Sequence, residues 1–185
     1  MGLLSWAPIS AADTAASERS AMRAFLERSI ASATSFEDRF DAEVWLFDMQ
    51  TRLTPFMPDP EERVQFLTLV HREALAADLP PELVLALIEV ESHFDQFAVS
   101  RAGAQGYMQV MPFWKDEIGR SEDNLTRSDT NLRYGCKILQ FYWQRESGDL
   151  HRALAAYNGS LGSTVYSNKV YRAWQSRWRM APLDW

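Results

Sequence analysis

The sequence predicts a mainly α-helical fold. Apolar residues recur every three or four positions along most of the 185-residue chain, the alternation typical of strands is nearly absent, and proline or aspartate stands at several expected helix starts. With 46% apolar and 24% charged residues, the composition is that of a globular protein, and this length suits one domain with its own core. Disorder over most of the chain is therefore excluded.

The first 12 residues are predicted to be separate from the folded part. They are apolar and end in small residues, as in the remnant of a secretory signal. However, they contain Pro8 and no preceding Lys or Arg, so a disordered leader is the equal alternative.

Residues 13–78 are predicted to form a helical segment that packs on the domain that follows. Ser35 followed by Asp38 resembles a capping box that opens a helix, with Phe47 in the buried stripe of that helix. Asp59, followed by proline and two glutamates, is a strong start for the next helix.

A central helix is predicted from Glu82 to about Ser92, because this stretch is apolar on nearly every side. The stretch after it, 93–111, is rich in Gly, Ser and Gln, and has room for a short hairpin. Further helices are predicted over 112–119, from a cap at Asp129 to about 148, over 149–157, and over a last segment that carries Val170, Tyr171, Trp174 and Trp178.

Charge and cysteine content exclude several classes of protein. The chain has 19 basic and 25 acidic residues and a net charge of -6, which argues against a nucleic-acid-binding protein. No apolar run is long enough for an integral membrane segment. Cys136 is the only cysteine and the three histidines are scattered, so neither a disulfide scaffold nor a metal site is expected.

The charge is unevenly distributed along the chain. Residues 1–95 carry 17 acids and 7 bases, whereas residues 96–185 carry 8 acids and 12 bases. The segment 150–183 contains five Lys and Arg residues and neither Asp nor Glu. This run favours an anionic partner, although a solvated basic face is the commoner explanation of such a pattern.

Glu91 is the candidate general acid. On a helical wheel it falls between Leu87 and Val84, inside the apolar face, whereas Glu82 and Glu89 fall together on the opposite side. A carboxyl group held among apolar side chains loses hydration as an anion, which raises its pKa towards neutrality. For this helix alone, a buried Glu that pairs with an Arg for structure is the alternative.

Three short motifs give the chain a resemblance to a known family. In order, they are Glu91-Ser92 at a helix end, Gly106-Tyr107-Met108-Gln109, and Ala156-Tyr157-Asn158. Together they resemble the signatures of the catalytic domain of soluble-type lytic transglycosylases. Tyr107 stands where Leu is usual, and Gly159-Ser160 replaces the common Ala-Gly, which affects the expected subsites rather than the reaction.

The resemblance implies a lysozyme-like (goose-type) catalytic domain over 79–180. The implied activity is cleavage of peptidoglycan glycan strands between N-acetylmuramic acid and N-acetylglucosamine, with 1,6-anhydro ends as products. One glutamate would act as acid and then as base, with the 6-hydroxyl of the sugar as nucleophile and no cofactor or metal. The expected location is the periplasm or cell envelope, and a monomer is expected.

The matched motifs also imply roles for individual residues. Tyr157 is expected to donate a hydrogen bond to Glu91 and orient it. Met108 is expected to form an apolar wall of the substrate cleft. The polar residues expected to contact the substrate, or in part the acid, are Ser92, Ser100, Gln109 and Asn158.

Two other functions compete with this interpretation. A hydrolytic muramidase would need a second carboxylate near the sugar to activate water, and Asp95 is the nearest contender. A peptidoglycan-binding or assembly module would keep the cleft without turnover. The second alternative leaves a buried acid such as Glu91 without a use.

Overall fold

The computed structural model describes residues 39–180, with side chains from residue 43 onward. The predicted leader over 1–12, the predicted helical segment before residue 39, and the predicted capping box at Ser35 and Asp38 therefore lie outside the described residues. Within them the chain forms seven α-helices and a closing π-helical turn, so the mainly α prediction is confirmed. The helices are α1 (Arg39–Leu53), α2 (Pro60–Leu75), α3 (Pro81–Ser92), α4 (Trp114–Ile118), α5 (Ser128–Arg145), α6 (Leu150–Tyr157) and α7 (Val165–Ala173), followed by the π-helical turn Trp174–Trp178.

Helix α3 is the centre of the fold. Its residues from Leu83 to Ile88 have no exposed surface, as expected for a helix that is apolar on nearly every side. It packs against α2, α7 and the π-helical turn. These neighbours leave the C-terminal end of α3, where Glu91 lies, beside α7.

Two glutamates on the side of α3 opposite Glu91 accept hydrogen bonds from tryptophan side chains. Glu82 accepts a hydrogen bond from the indole nitrogen of Trp45 at 2.7 Å, and Glu89 accepts one from Trp178, also at 2.7 Å. Buried indole N–H groups need such acceptors. The two carboxylates therefore connect α3 to α1 and to the C-terminal turn.

The expected buried stripe of α1 is wrong at Phe47. This side chain is 64% exposed, and the buried apolar residues among the described side chains of the helix are instead Trp45, Leu46, Met49 and Leu53. The start of α2 is confirmed, because the Asp59 side chain accepts a hydrogen bond from the backbone of Glu62 at 2.8 Å.

Because α2 packs against both α3 and α5, it shares its core with the later helices. The boundary proposed at residue 79 remains a prediction.

The chain reverses direction directly after α3. His93 caps the helix with φ of 55°, and Phe94 follows with φ of 63°, so two successive side-chain-bearing residues are left-handed. The stretch that follows has no named strand, but isolated antiparallel bridges join Val99 to Gln105 and Gln105 to Val110. The expected small hairpin or irregular segment is present.

The later helices follow the predicted order with one change at a cap. Helix α5 begins at Ser128, so Asp129 lies in its first turn and is not the N-cap. Asp149 does cap α6, accepting a hydrogen bond from the backbone of Arg152 at 3.0 Å. Over residues 39–180, none of the helices has the length and apolar character that a membrane span requires.

Candidate active site

Glu91 lies at the end of α3 with its carboxyl group partly buried. Burial disfavours the charged form and raises its pKa to about 7, from an ordinary value of 4.5. The hydroxyl of Tyr166 on α7 donates a hydrogen bond to Glu91 Oε1 at 2.5 Å, which opposes part of this rise. A carboxyl group with this pKa is neutral in slightly acidic solution and can donate a proton there.

A cleft of about 350 Å³ opens over Glu91. Its walls come from the end of α3, the turn after α6 and the first half of α7. Among the residues that the structure describes, Glu91 is the only carboxylate that lines it, and Lys169 is the only cation. The lining residues are Val90, Glu91, Asn158, Ser160, Ser163, Val165, Tyr166 and Lys169.

The tyrosine that contacts the acid is Tyr166, and the expected bond from Tyr157 to Glu91 is wrong. The Tyr157 hydroxyl instead donates to the backbone carbonyl of Met108 at 2.7 Å. Sequence reasoning missed Tyr166, although its position four residues before the buried Val170 places both on one face of α7. That spacing was the available signal.

The loop over 105–110 is held through its backbone by side chains from three helices. Ser92 donates to the carbonyl of Tyr107 at 2.8 Å, and Tyr157 donates to that of Met108. Asn131 of α5 accepts from the Met108 amide and donates to the carbonyl of Gln105, each at 2.8 Å. The loop beside the acid therefore has a fixed path.

Met108 cannot form the expected apolar wall of the cleft in this conformation. Its side chain has no exposed surface, and α5 accommodates it only because residue 135 is glycine, where a Cβ would lie 2.3 Å from its sulfur. The amide nitrogen of Gln109 is also engaged, by the carbonyls of Ala98 and Gly106 at 3.2 and 2.9 Å. Both residues therefore shape the loop.

Of the remaining residues predicted to contact the substrate, one lies at the cleft and one stabilises the irregular segment after α3. Asn158 is exposed at the cleft, where its amide donates to the Ser160 hydroxyl at 3.1 Å. The Ser100 hydroxyl accepts from the backbone of Ala104 at 3.0 Å, and thus stabilises the irregular segment. Of these, Asn158 is the one in place to meet a ligand.

Asp95, the candidate second carboxylate, does not line the cleft. It is exposed, and its Oδ1 accepts a hydrogen bond from the backbone of Phe97 at 2.8 Å in the turn after α3. Among the residues that the structure describes, no group of three or more His, Cys, Asp or Glu is arranged to hold a metal ion. The chemistry that Glu91 can supply at the cleft is proton transfer.

Replacing Tyr166 with Phe should move the pH dependence of the reaction. The Tyr166 bond stabilises the Glu91 anion and lowers its pKa, so its loss raises the pKa above about 7 and keeps the acid protonated to higher pH. We expect the alkaline limb of kcat/KM against pH to shift upward by about one unit, the value of one hydrogen bond to a charged group. Tyr157→Phe is the matched control, since its hydroxyl bonds a backbone carbonyl. An equal shift in both variants would contradict this assignment.

The comparisons with known proteins place most of the described chain in one family. The family described as "Transglycosylase SLT domain" matches residues 68–179. A "Membrane-bound lytic murein transglycosylase C" of Photorhabdus laumondii is 29% identical over 138 residues, which cover 65% of this chain and 39% of the relative. The chain thus spans well under half the length of that relative. A protein of the same name from Actinobacillus pleuropneumoniae is 48% identical over 48 residues, 26% of this chain and 13% of the relative.

Among solved structures, the chain is similar to the 70 kDa soluble lytic transglycosylase of Escherichia coli. The TM-score is 0.48 at 20% sequence identity, over 87% of this chain and 25% of the other.

Proposed function

Since this chain belongs to the transglycosylase SLT domain family, we propose that it is a peptidoglycan lytic transglycosylase with Glu91 as its catalytic acid and base. The observation that carries the proposal is one carboxyl group with a pKa of about 7 in a cleft to which the described residues 43–180 contribute no second carboxylate. The proposed substrate is the glycan strand, and the proposed location is the cell envelope.

In the proposed reaction, neutral Glu91 first acts as the acid. It donates its proton to the glycosidic oxygen while the bond from that oxygen to the anomeric carbon of N-acetylmuramic acid breaks. The Glu91 carboxylate then accepts the proton of the 6-hydroxyl of the same sugar, as that oxygen bonds the anomeric carbon. The products are a free 4-hydroxyl on N-acetylglucosamine and a 1,6-anhydro end. Glu91 is protonated again and no water is consumed.

The other cleft residues have proposed supporting roles. Tyr166 orients the carboxyl group and limits the rise of its pKa. Asn158 offers an amide to sugar hydroxyl or N-acetyl groups from the turn after α6. Ser92, Gln109 and Tyr157 act by holding the 105–110 loop beside the acid.

Hydrolysis is the competing reaction. A retaining hydrolase places a second carboxylate about 5 to 5.5 Å from the acid, and an inverting one places it about 6.5 to 9.5 Å away. Asp95 is turned to the backbone of its own loop and does not line the cleft. This arrangement favours the internal 6-hydroxyl over water as nucleophile.

Digestion of purified peptidoglycan in water enriched in heavy oxygen tests the proposed reaction. We expect anhydro-muramic ends without the heavy isotope, because the oxygen that closes on the anomeric carbon comes from the sugar. A hydrolytic lysozyme in the same water is the control and should give labelled reducing ends. Labelled reducing ends from this protein would make it a hydrolase, and Asp95→Asn would then be the first variant to test.

A further inference from the structure

Helix α7 presents a cationic stripe that begins at the catalytic cleft. Val165, Lys169 and Arg172 are exposed and stand at helical spacing, so they share one face of α7. Val165, which is 66% exposed, and Lys169 also line the cleft, whereas Arg172 lies one turn farther from it. We call Lys169 and Arg172 the α7 stripe.

The two cations of the α7 stripe have no carboxylate partner within residues 43–180, although neighbouring arginines do. Arg152 pairs with Glu146 at 2.7 Å, and Arg177 pairs with Glu89 at 3.5 Å. The ion pairs of the described residues include neither Lys169 nor Arg172. Segment 150–183 also contains no Asp or Glu of its own. The described part of the chain therefore forms no ion pair that compensates the positive charge of these two residues.

Lys169 is not committed to the catalytic carboxyl group either. The Glu91 pKa is set by burial and by the Tyr166 hydrogen bond. The ammonium thus remains available to a ligand that occupies the cleft and extends along α7.

We propose that the α7 stripe is an anion subsite that binds carboxylates attached to the glycan strand. This inference rests on the proposed function. A glycan strand of peptidoglycan differs from a chitin strand chiefly in its lactyl ether and attached peptide, and both can present carboxylates. Cations beside the cleft favour such a strand over a neutral one, and their attraction acts at long range in dilute salt. The stripe therefore determines substrate preference, while Glu91 performs the chemistry.

The test compares binding of native strands with binding of the same strands after chemical amidation of their carboxyl groups. Binding is measured in the Glu91→Gln background, so that turnover does not consume the ligand and the result is independent of the reaction mechanism. We expect native strands to bind more tightly to this parent. Replacing both Lys169 and Arg172 with Ala should weaken native-strand binding about fivefold, the combined effect of two exposed ion pairs, and leave amidated-strand binding unchanged.

Lys137→Ala is the matched control, since it removes an exposed positive charge from α5, away from the cleft lining. Raising the salt from about 0.1 M to about 1 M shortens the Debye length from about 10 Å to about 3 Å, which should abolish the preference of the parent for native strands. Equal binding of native and amidated strands by the parent would overturn the proposal. So would a double variant that keeps the preference, or a Lys137 variant that loses it equally.

A third ligand identifies the source of the carboxylate. In peptide-bearing strands the lactyl carboxyl group is joined to the peptide as an amide, so the carboxylates are those of the peptide. An amidase hydrolyses this amide, which removes the peptide and frees the lactyl carboxylate. If Lys169 and Arg172 also strengthen binding of the treated strands, the subsite accepts the lactyl carboxylate. If they do not, the subsite is specific for carboxylates of the peptide. Failure of the heavy-oxygen experiment alone would overturn the proposed reaction without affecting this subsite, since binding is measured separately.

Discussion

Glu91→Gln is expected to fold and to lose nearly all glycan cleavage. The amide keeps the size of the side chain and can still accept the Tyr166 hydrogen bond, but it cannot donate a proton to the glycosidic oxygen. A general acid contributes about 10²- to 10⁴-fold to the rate, so kcat should fall by that factor. The rate of release of soluble fragments from purified peptidoglycan measures this. A folded variant that retains more than about a tenth of the wild-type rate would contradict the role of Glu91.

The same substitution should stabilise the protein in alkaline solution. The pKa of Glu91 is about 7 in the folded protein against an ordinary 4.5, so the folded state prefers the neutral form. Wild-type stability from this group is complete below pH 4.5 and is lost as the pH rises through 7. Because glutamine never ionises, the variant should exceed the wild type by up to about 3 kcal/mol in free energy of unfolding above pH 7.

Glu89→Gln is the matched control for both measurements. It removes a carboxylate two positions away, but its amide oxygen can still accept the Trp178 indole hydrogen bond. We expect cleavage close to that of the wild type and no stabilisation that appears on raising the pH through 7. Comparable losses of cleavage in the two variants would assign the effect to helix α3 as a whole.

Trp178→Ala is expected to have the largest effect on stability. This indole has no exposed surface, lies 5.5 Å from the ring of Phe94 between centroids, and donates its N–H to Glu89. Truncating a buried aromatic side chain costs about 3 to 5 kcal/mol, and here it also removes the indole donor to a partly buried carboxylate. Urea denaturation should show this loss as a lower midpoint at unchanged slope.

Tyr171→Ala on the neighbouring helix is the control for Trp178→Ala. Tyr171 is 38% exposed, so its truncation should cost less than about 1 kcal/mol. If Trp178→Ala does not accumulate as folded protein, Trp178→Phe keeps most of the apolar volume and isolates the loss of the indole donor. A loss below about 1 kcal/mol for Trp178→Ala would show that the C-terminal turn does not stabilise α3.

The order of the helices and the position of the acid could be predicted from the sequence because both depend on local pattern. Helix α3 is apolar on nearly every side, and Glu91 interrupts its apolar face near the C-terminal end. The capping aspartates Asp59 and Asp149 are likewise local signals, read within one helical turn. Such features need no knowledge of which helices meet.

The tyrosine that donates a hydrogen bond to Glu91 could not be predicted from local pattern, because it depends on how helices distant in sequence pack. Tyr166 is buried and Tyr157 is partly buried, and only the placement of α7 decides that Tyr166 reaches the carboxylate. The predicted burial of Phe47 is wrong for a related reason. Four consecutive apolar residues, 44–47, point to all sides of α1, and the position of α2 determines which side is covered.

The hydrogen bonds that hold the 105–110 loop determine which residues can be substituted without changing its path. The loop is held by hydrogen bonds between its backbone and the side chains of Ser92, Asn131 and Tyr157. Every residue type supplies a backbone carbonyl, and every type except proline supplies a backbone N–H. A different side chain at Tyr107 would therefore keep these bonds, and the Tyr107 ring packs on Phe66 with centroids 4.7 Å apart. Gly106 and Met108 are constrained in addition by close packing, since a Cβ at Gly106 would lie 2.5 Å from Asn131 Nδ2 and Met108 fits against Gly135. A substitution at Tyr107 is thus expected to keep the path of the loop, whereas a substitution at Ser92, Asn131 or Tyr157 removes a bond that fixes it.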